Sequence, residues 1–219
     1  MLVSLAVLLC GCSATSTGAN DEQDLNEQES VSTELVLRTH VGDAELTQIA
    51  ERTDLETLEL YSVDCSETVL KRSLENLPRL RKLRIEGMSI GDETIQAIAA
   101  IEKLEVLNLP ETRMTDESLA MFSRLPSLQL LRFGSREVSD VGIAKLRNAK
   151  ALRFLHLLNV PVSDQGLRAF HGFPQLESLY IDGGNETDEG IQALLASNPE
   201  LHFHQNQIHV ADDPNADGH

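Results

Sequence analysis

Seven leucines recur along this chain at nearly constant spacing, and that recurrence constrains its fold more than any other feature. Leu55, Leu80, Leu104, Leu128, Leu152, Leu176 and Leu201 are separated by 25, 24, 24, 24, 24 and 25 residues. A fixed period of this length marks stacked supersecondary units, each too small to bury its apolar face alone. The first six leucines open one pattern, apolar at the first, fourth and sixth positions, from Leu55-x-x-Leu58-x-Leu60 to Leu176-x-x-Leu179-x-Ile181. A weaker copy precedes them at Leu35-x-Leu37. Alternation at the fourth and sixth positions is the period of a strand with one buried face.

The second half of each unit has helical spacing. Leu70, Ile95, Leu119, Ile143, Leu167 and Ile191 stand 15 residues after the opening leucines. Ile98, Phe122, Leu146, Phe170 and Leu194 follow three residues later, which completes an amphipathic stripe. Helix starts are marked by Gly91-Asp92, Thr115-Asp116, Ser139-Asp140, Ser163-Asp164 and Thr187-Asp188. There the Ser or Thr can cap free amides, and the Asp complements the helix dipole. Pro78, Pro126, Pro174 and Pro199 fall where a helix must already have ended before the next strand.

This pattern resembles the leucine-rich repeat, and the resemblance covers residues 33–203. The 24-residue period, the Thr/Ser-Asp helix start and the Leu-Pro-x-Leu join are similar to the ribonuclease-inhibitor and F-box-associated subclass. The resemblance implies an α/β fold: a right-handed solenoid of about seven repeats, with a parallel concave sheet and helices on the convex side. Such a stack needs both ends covered. The acidic segment before residue 33 and the polar segment from His202 onward are candidates. Two departures stand out near the end. Glu186, after Gly183-Gly184-Asn185, replaces the apolar residue held by Ile90, Met114, Val138 and Val162 in earlier units. That predicts a distorted turn, either functional or a loosening of the last full repeat. Aligned on Leu201, the terminal unit places His204 where a core leucine belongs, which predicts an incomplete last strand.

The amino end carries an address. Leu2–Leu9 is an apolar run too short to span a membrane, and Leu9-Cys10-Gly11-Cys12 resembles a bacterial lipobox. The resemblance implies a signal peptide over residues 1–11 and lipid attachment at Cys12. A polar tether would follow over residues 12–32. The expected location is the bacterial cell envelope, at the outer membrane or periplasmic face. No Lys or Arg follows Met1, unlike most secretory signals. Once Cys10 is removed and Cys12 is lipidated, Cys65 is alone and falls at an apolar position of the repeat. It is expected to be a buried structural cysteine.

Charge narrows the function classes. The net charge is −17, of which nine negative charges lie in the flanks 20–34 and 210–219. An acidic chain repels phosphate backbones, so nucleic-acid binding is excluded as a general role. No nucleophile elbow, phosphate loop, His-Glu-x-x-His pair or Cys-x-x-Cys occurs, so neither an enzyme nor a cofactor is expected. The aspartates at helix starts are read as caps, not calcium ligands. His202, His204 and His209, in the polar C-terminal segment 204–219 and just before it, are read as an end cap, with zinc as the competing reading. An F-box-like adaptor would need about 40–50 helical residues before the repeats, by family resemblance; a structural envelope protein without a ligand is the other alternative.

The leading expectation is a monomeric, lipid-anchored module that binds a protein or peptide on the concave sheet. In each unit the third, fifth and seventh positions point away from the core. The third-position column runs Thr57, Lys82, Val106, Leu130, Phe154, Ser178, and the fifth runs Glu59, Arg84, Asn108, Arg132, His156, Tyr180. Val106, Leu130 and Phe154 are expected to form an exposed apolar stripe. Arg84, Asn108, Arg132, His156 and Tyr180 complete the expected partner-binding face, which Tyr61 also joins. Aromatic and Arg clusters are what interface hot spots use.

Overall fold

The computed structural model describes residues 32–206 and the backbone of residues 208–209. The signal segment, Cys12, its tether and most of the C-terminal tail lie outside the described residues.

Strand and helix alternate through eight units. The strands are β1 (Glu34–Leu37), β2 (Thr57–Leu60), β3 (Lys82–Ile85), β4 (Val106–Leu109), β5 (Leu130–Gly134), β6 (Phe154–Leu158), β7 (Ser178–Asp182) and β8 (His202–Gln205). Between them run α1 (Asp43–Ile49), α2 (Glu67–Glu75), α3 (Asp92–Ile98), α4 (Asp116–Phe122), α5 (Asp140–Lys145), α6 (Asp164–Leu167) and α7 (Asp188–Ser197). A short β9 (Ile208–His209) follows. The strands form one sheet in chain order, parallel from β1 to β8, and β9 pairs antiparallel with β8. Parallel neighbours joined by helical crossovers take the right-handed path.

The core is what the periodicity demands. The inward fourth- and sixth-position residues of β2 to β7, from Leu58 and Leu60 to Leu179 and Ile181, are all fully buried or nearly so. They meet the helical stripe, in which Leu70, Ile95, Leu119, Ile143 and Leu167 are likewise buried. Each such side chain contributes about 1.5–3 kcal/mol by leaving water. The units of β2 to β7 present the same kind of inward residues, so the core runs uninterrupted along them. β1, the weak copy, alternates between exposed and half-buried residues.

Three expectations need correction. First, the helix-start aspartates act between repeats. Asp116 Oδ1 accepts the Ser139 N–H at 2.7 Å and its Oδ2 accepts the Ser139 hydroxyl at 2.6 Å. Asp43 holds Ser66, Asp92 holds Thr115, Asp140 holds Ser163 and Asp164 holds Thr187 in the same way. Glu67 takes the equivalent place for Gly91, whose N–H donates to Oε1 at 2.6 Å. Each carboxylate therefore satisfies the residue that opens the next helix, and the Ser or Thr it holds caps that helix. The rungs pass close to the third helical position of α5 to α7, which is glycine in each, whereas α4 has Ser118 there. A Cβ on Gly142, Gly166 or Gly190 would lie 2.1–2.4 Å from the preceding aspartate's Oδ1.

Second, the last strand is complete and out of step with Leu201. Ser178, Leu179, Tyr180 and Ile181 pair with His202, Phe203, His204 and Gln205. Phe203 fills the core slot, fully buried, and His204 turns to the concave face. The sheet does not stop there, because β9 covers the edge of β8. Third, Cys65 is half-buried, with Sγ 3.7 Å from Met88 Sδ. Burial, then the negative charges of Asp43, Asp64 and Glu67, push its thiol pKa up to about 11, which suppresses the thiolate. At the unusual turn, Glu186 occupies its column by accepting the Gln205 side-chain amide at 2.8 Å, and Gly183 has φ +77°.

Candidate functional site

In-register parallel pairing converts sequence columns into rows of neighbours about 4.8 Å apart. One row runs Lys82, Val106, Leu130, Phe154, Ser178, His202, and the next runs Arg84, Asn108, Arg132, His156, Tyr180, His204. These rows face away from the helices.

The amino-terminal part of this face is occupied by its own side chains. Lys82 Nζ lies 2.5 Å from Glu59 Oε1, and the Tyr61 hydroxyl donates to Glu59 Oε2 at 2.7 Å. Hydrogen bonds from Lys82 and then Tyr61 hold the Glu59 carboxyl below its ordinary pKa, although only 7% of the residue is exposed. Arg84 pairs with Glu86. The guanidinium carbons of Arg38 and Arg84 lie 4.1 and 4.5 Å from the Tyr61 ring centroid. Arg84, expected among partner-binding residues, is thus committed within the chain. So is Tyr61.

The carboxy-terminal part is open. Leu130, Arg132, Phe154, Leu155, His156, Ser178, Tyr180 and His204 line a cavity of about 570 Å³. That is enough for one or two side chains of a ligand. Val106, Leu130 and Phe154 are half-buried rather than exposed, because in-register neighbours and the Arg153 guanidinium, 5.6 Å from the Phe154 ring, cover part of them. Val106 lies outside the cavity.

A hydrogen-bonded chain crosses the cavity wall. Arg132 Nη1–H donates to Asn108 Oδ1 at 2.9 Å and Nε–H donates to His156 Nδ1 at 3.3 Å. Accepting at Nδ1 leaves the neutral imidazole's proton on Nε2, which donates to Asp182 Oδ2 at 2.9 Å. Tyr180 stacks on His204, with centroids 4.3 Å apart, and its ring lies 5.4 Å from that of His156. His204 and His202 bring their Nε2 atoms to 2.6 Å. Burial, followed by the Arg84 charge, lowers the Arg132 pKa, yet a guanidinium remains charged at physiological pH.

Of the expected partner-binding residues, the structure brings Leu130, Arg132, Phe154, His156 and Tyr180 together, and Asn108 supports Arg132 from behind. The sequence reading missed Ser178 and His204 as cavity residues. His204 follows Tyr180 by 24 residues, so the exact period would have found it. A larger hollow of about 610 Å³ lies beside α2 to α4, lined in part by Glu67, Asp92 and Arg113. Its Glu67 and Asp92 carboxylates already hold Gly91 and Thr115, so it offers little free chemistry.

No protein-family model matches the chain, and no curated protein matches it. Among solved structures, an internalin from Listeria monocytogenes strain 4b F2365 superposes with a TM-score of 0.53 at 21% identity. The match covers 72% of this chain and 49% of the internalin, so the chain spans about half that protein's length. The fold is the leucine-rich-repeat solenoid. Identity this low shows the fold alone. The site belongs to this solenoid's own residues: a concave face whose first half is closed by ion pairs and whose second half opens into an apolar, aromatic cavity.

Proposed function

We propose that this solenoid is a non-enzymatic binding module that holds a protein partner on its concave face, over β5 to β8. The observation that carries the reading is the cavity beside Arg132. Solvent-facing strand positions have no packing reason to be apolar, yet Leu130 and Phe154 adjoin there, beside Tyr180. Aromatic and Arg residues around such a hollow are the composition of an interface centre. The repeats are read as the 24-residue ribonuclease-inhibitor-like class, on their period and their Thr/Ser-Asp helix starts.

The second part of the proposal is the anchor. The Leu9–Cys12 motif and its polar sequel support lipid attachment at Cys12 and display of the monomeric module at a bacterial envelope. Cys12→Ala should then abolish incorporation of a labelled fatty acid and release the protein from the membrane fraction; unchanged labelling would remove the anchor. For the binding reading, the test is an Arg132→Glu, Phe154→Ser, Tyr180→Ala triple variant that remains folded by circular dichroism. Crosslinking in intact cells should lose the partners captured by wild type. Capture of the same partners would move the binding surface to the convex helices.

A further inference from the structure

The cations of the concave strands are not equivalent. Lys82 is paired with Glu59 and Arg84 with Glu86. Among the described residues, Arg132 donates to neutral acceptors, the Asn108 amide oxygen and the His156 ring nitrogen. Those two bonds engage one N–H on Nε and one on Nη1, and a guanidinium carries five. The remaining donors, including both on Nη2, have no partner among the described residues. Asp182, the nearby carboxylate of this half, accepts a hydrogen bond from His156 on the far side of the imidazole. Arg84, Glu86 and Asp182 act on Arg132 through their fields alone, and Arg84 and Glu86 pair with each other.

Asn108 and His156 therefore orient a half-buried cation without neutralising it, and they hold it at the rim of an apolar cavity. A charge kept this way out of full solvent interacts more strongly with an incoming anion than an exposed one does. Leu130 and Phe154 meanwhile offer nothing to a bare anion. The complementary ligand carries a carboxylate beside an apolar group, which in a polypeptide is an acidic residue next to an aliphatic or aromatic one.

Resting on the binding reading above, we infer that Arg132 receives the carboxylate of an acidic side chain from a partner polypeptide, whose adjacent apolar side chain fills the cavity over Leu130 and Phe154. Asn108 and His156 are the positioning residues: they fix the guanidinium plane and leave its free donors facing the ligand. The partner's acidity is compatible with a chain of net charge −17, because Arg132 and Asp182 are the charged side chains at the third, fifth and seventh positions of β4 to β8.

The test uses two isosteric peptides on the full chain, acetyl-Leu-Glu-Leu-amide and acetyl-Leu-Gln-Leu-amide. Binding is followed by NMR on the Arg132 Nε–H and on the Phe154 and Tyr180 ring signals. The Glu peptide should shift both sets of signals, and the Gln peptide should bind about tenfold more weakly, the scale of one charged hydrogen bond. Arg132→Gln should abolish that preference while leaving the ring signals responsive. Asn108→Ala should reduce the preference without changing the ring shifts caused by the Gln peptide. Equal binding of the two peptides, with ring shifts, would overturn the anion inference and leave the cavity as a binding site. Shifts confined to Arg132 would overturn it too, since a simple ion pair needs no cavity. No shift with either peptide would overturn the concave-face reading itself. A concentration-dependent dimer that either peptide dissociates would assign the cavity to a second copy of the chain and end the proposal.

Discussion

The two halves of the concave sheet share one backbone and one core but differ in how their outward side chains are satisfied. From β1 to β3, Glu59, Lys82, Tyr61, Arg84, Glu86 and Arg38 bond and stack among themselves. From β5 to β8, Arg132 meets neutral partners, and the neighbouring rows are aliphatic and aromatic. The same solenoid positions thus produce a closed surface at one end and an open one at the other. The difference comes from the chemistry of the third, fifth and seventh residues, because the fourth and sixth are interchangeable from β2 to β7.

That contrast can be broken most easily at the core, where it should vanish. Leu58→Ala in β2 and Leu155→Ala in β6 should each cost about 2–5 kcal/mol, measured by chemical denaturation, since both side chains are fully buried or nearly so. A several-fold difference between them would mean that the halves differ in packing and not only in surface chemistry.

The aspartate rungs should come next in size. Asp140→Ala should cost about 1–2 kcal/mol, because it strips acceptors from the Ser163 amide and hydroxyl in the next repeat. Gly166→Ala should destabilise as well, against the usual gain of Ala in a helix, since its Cβ would meet Asp140 Oδ1 at 2.4 Å. A stabilised Gly166→Ala melt would show the rung to be looser than described.

An effect of similar size separates the two faces directly. Glu59→Gln should cost about 1–2 kcal/mol, as a buried carboxylate bonded to Lys82 and Tyr61 is lost. Arg132→Gln should change stability by about 0.5 kcal/mol or less, because its partners are neutral and remain accessible to water. Reversal of that order would make Arg132 a structural group.

The smallest expected effect is on the acid limb of stability. Lys82 and Tyr61 lower the Glu59 pKa. Burial raises that of Asp92, but Ser118 and Thr115 more than offset it, and Thr187 lowers that of Asp164. A carboxyl with a depressed folded pKa contributes stability above its unfolded value, and loses it as pH falls through the folded value. Melting temperature should therefore be steady from neutral pH down to about 5 and fall below about 4, near and under the ordinary carboxylate values. Glu59→Gln should flatten part of that fall, whereas Arg132→Gln should leave it unchanged.

Legibility in the sequence followed the strength of the repeat. The core of β2 to β7 was plain, because hydrophobic burial selects the same residue types every 24 positions. The aspartates were found at their correct place but given too local a role, since a carboxylate that faces the next unit looks identical in sequence to one that serves its own helix. His204 was misplaced by one register step: Leu201 is buried and resembles an opening leucine, yet backbone pairing puts Phe203 in the core. Within the expected binding face, periodicity found the outward columns. It could not separate Arg84 from Arg132, because that distinction depends on which neighbour each guanidinium reaches.

By itself, then, the sequence determined the period, the buried positions, the helix starts and the columns that face outward. All of these follow from short-range spacing and from the transfer of apolar side chains out of water. Only the tertiary structure decided where charge is neutralised and where it is kept. Glu59 meets Lys82, Arg84 meets Glu86, and Arg132 meets Asn108 and His156, through side-chain directions and distances of a few ångströms. Electrostatic and hydrogen-bond energies vary steeply over such distances, whereas the hydrophobic pattern depends only on which face a residue occupies.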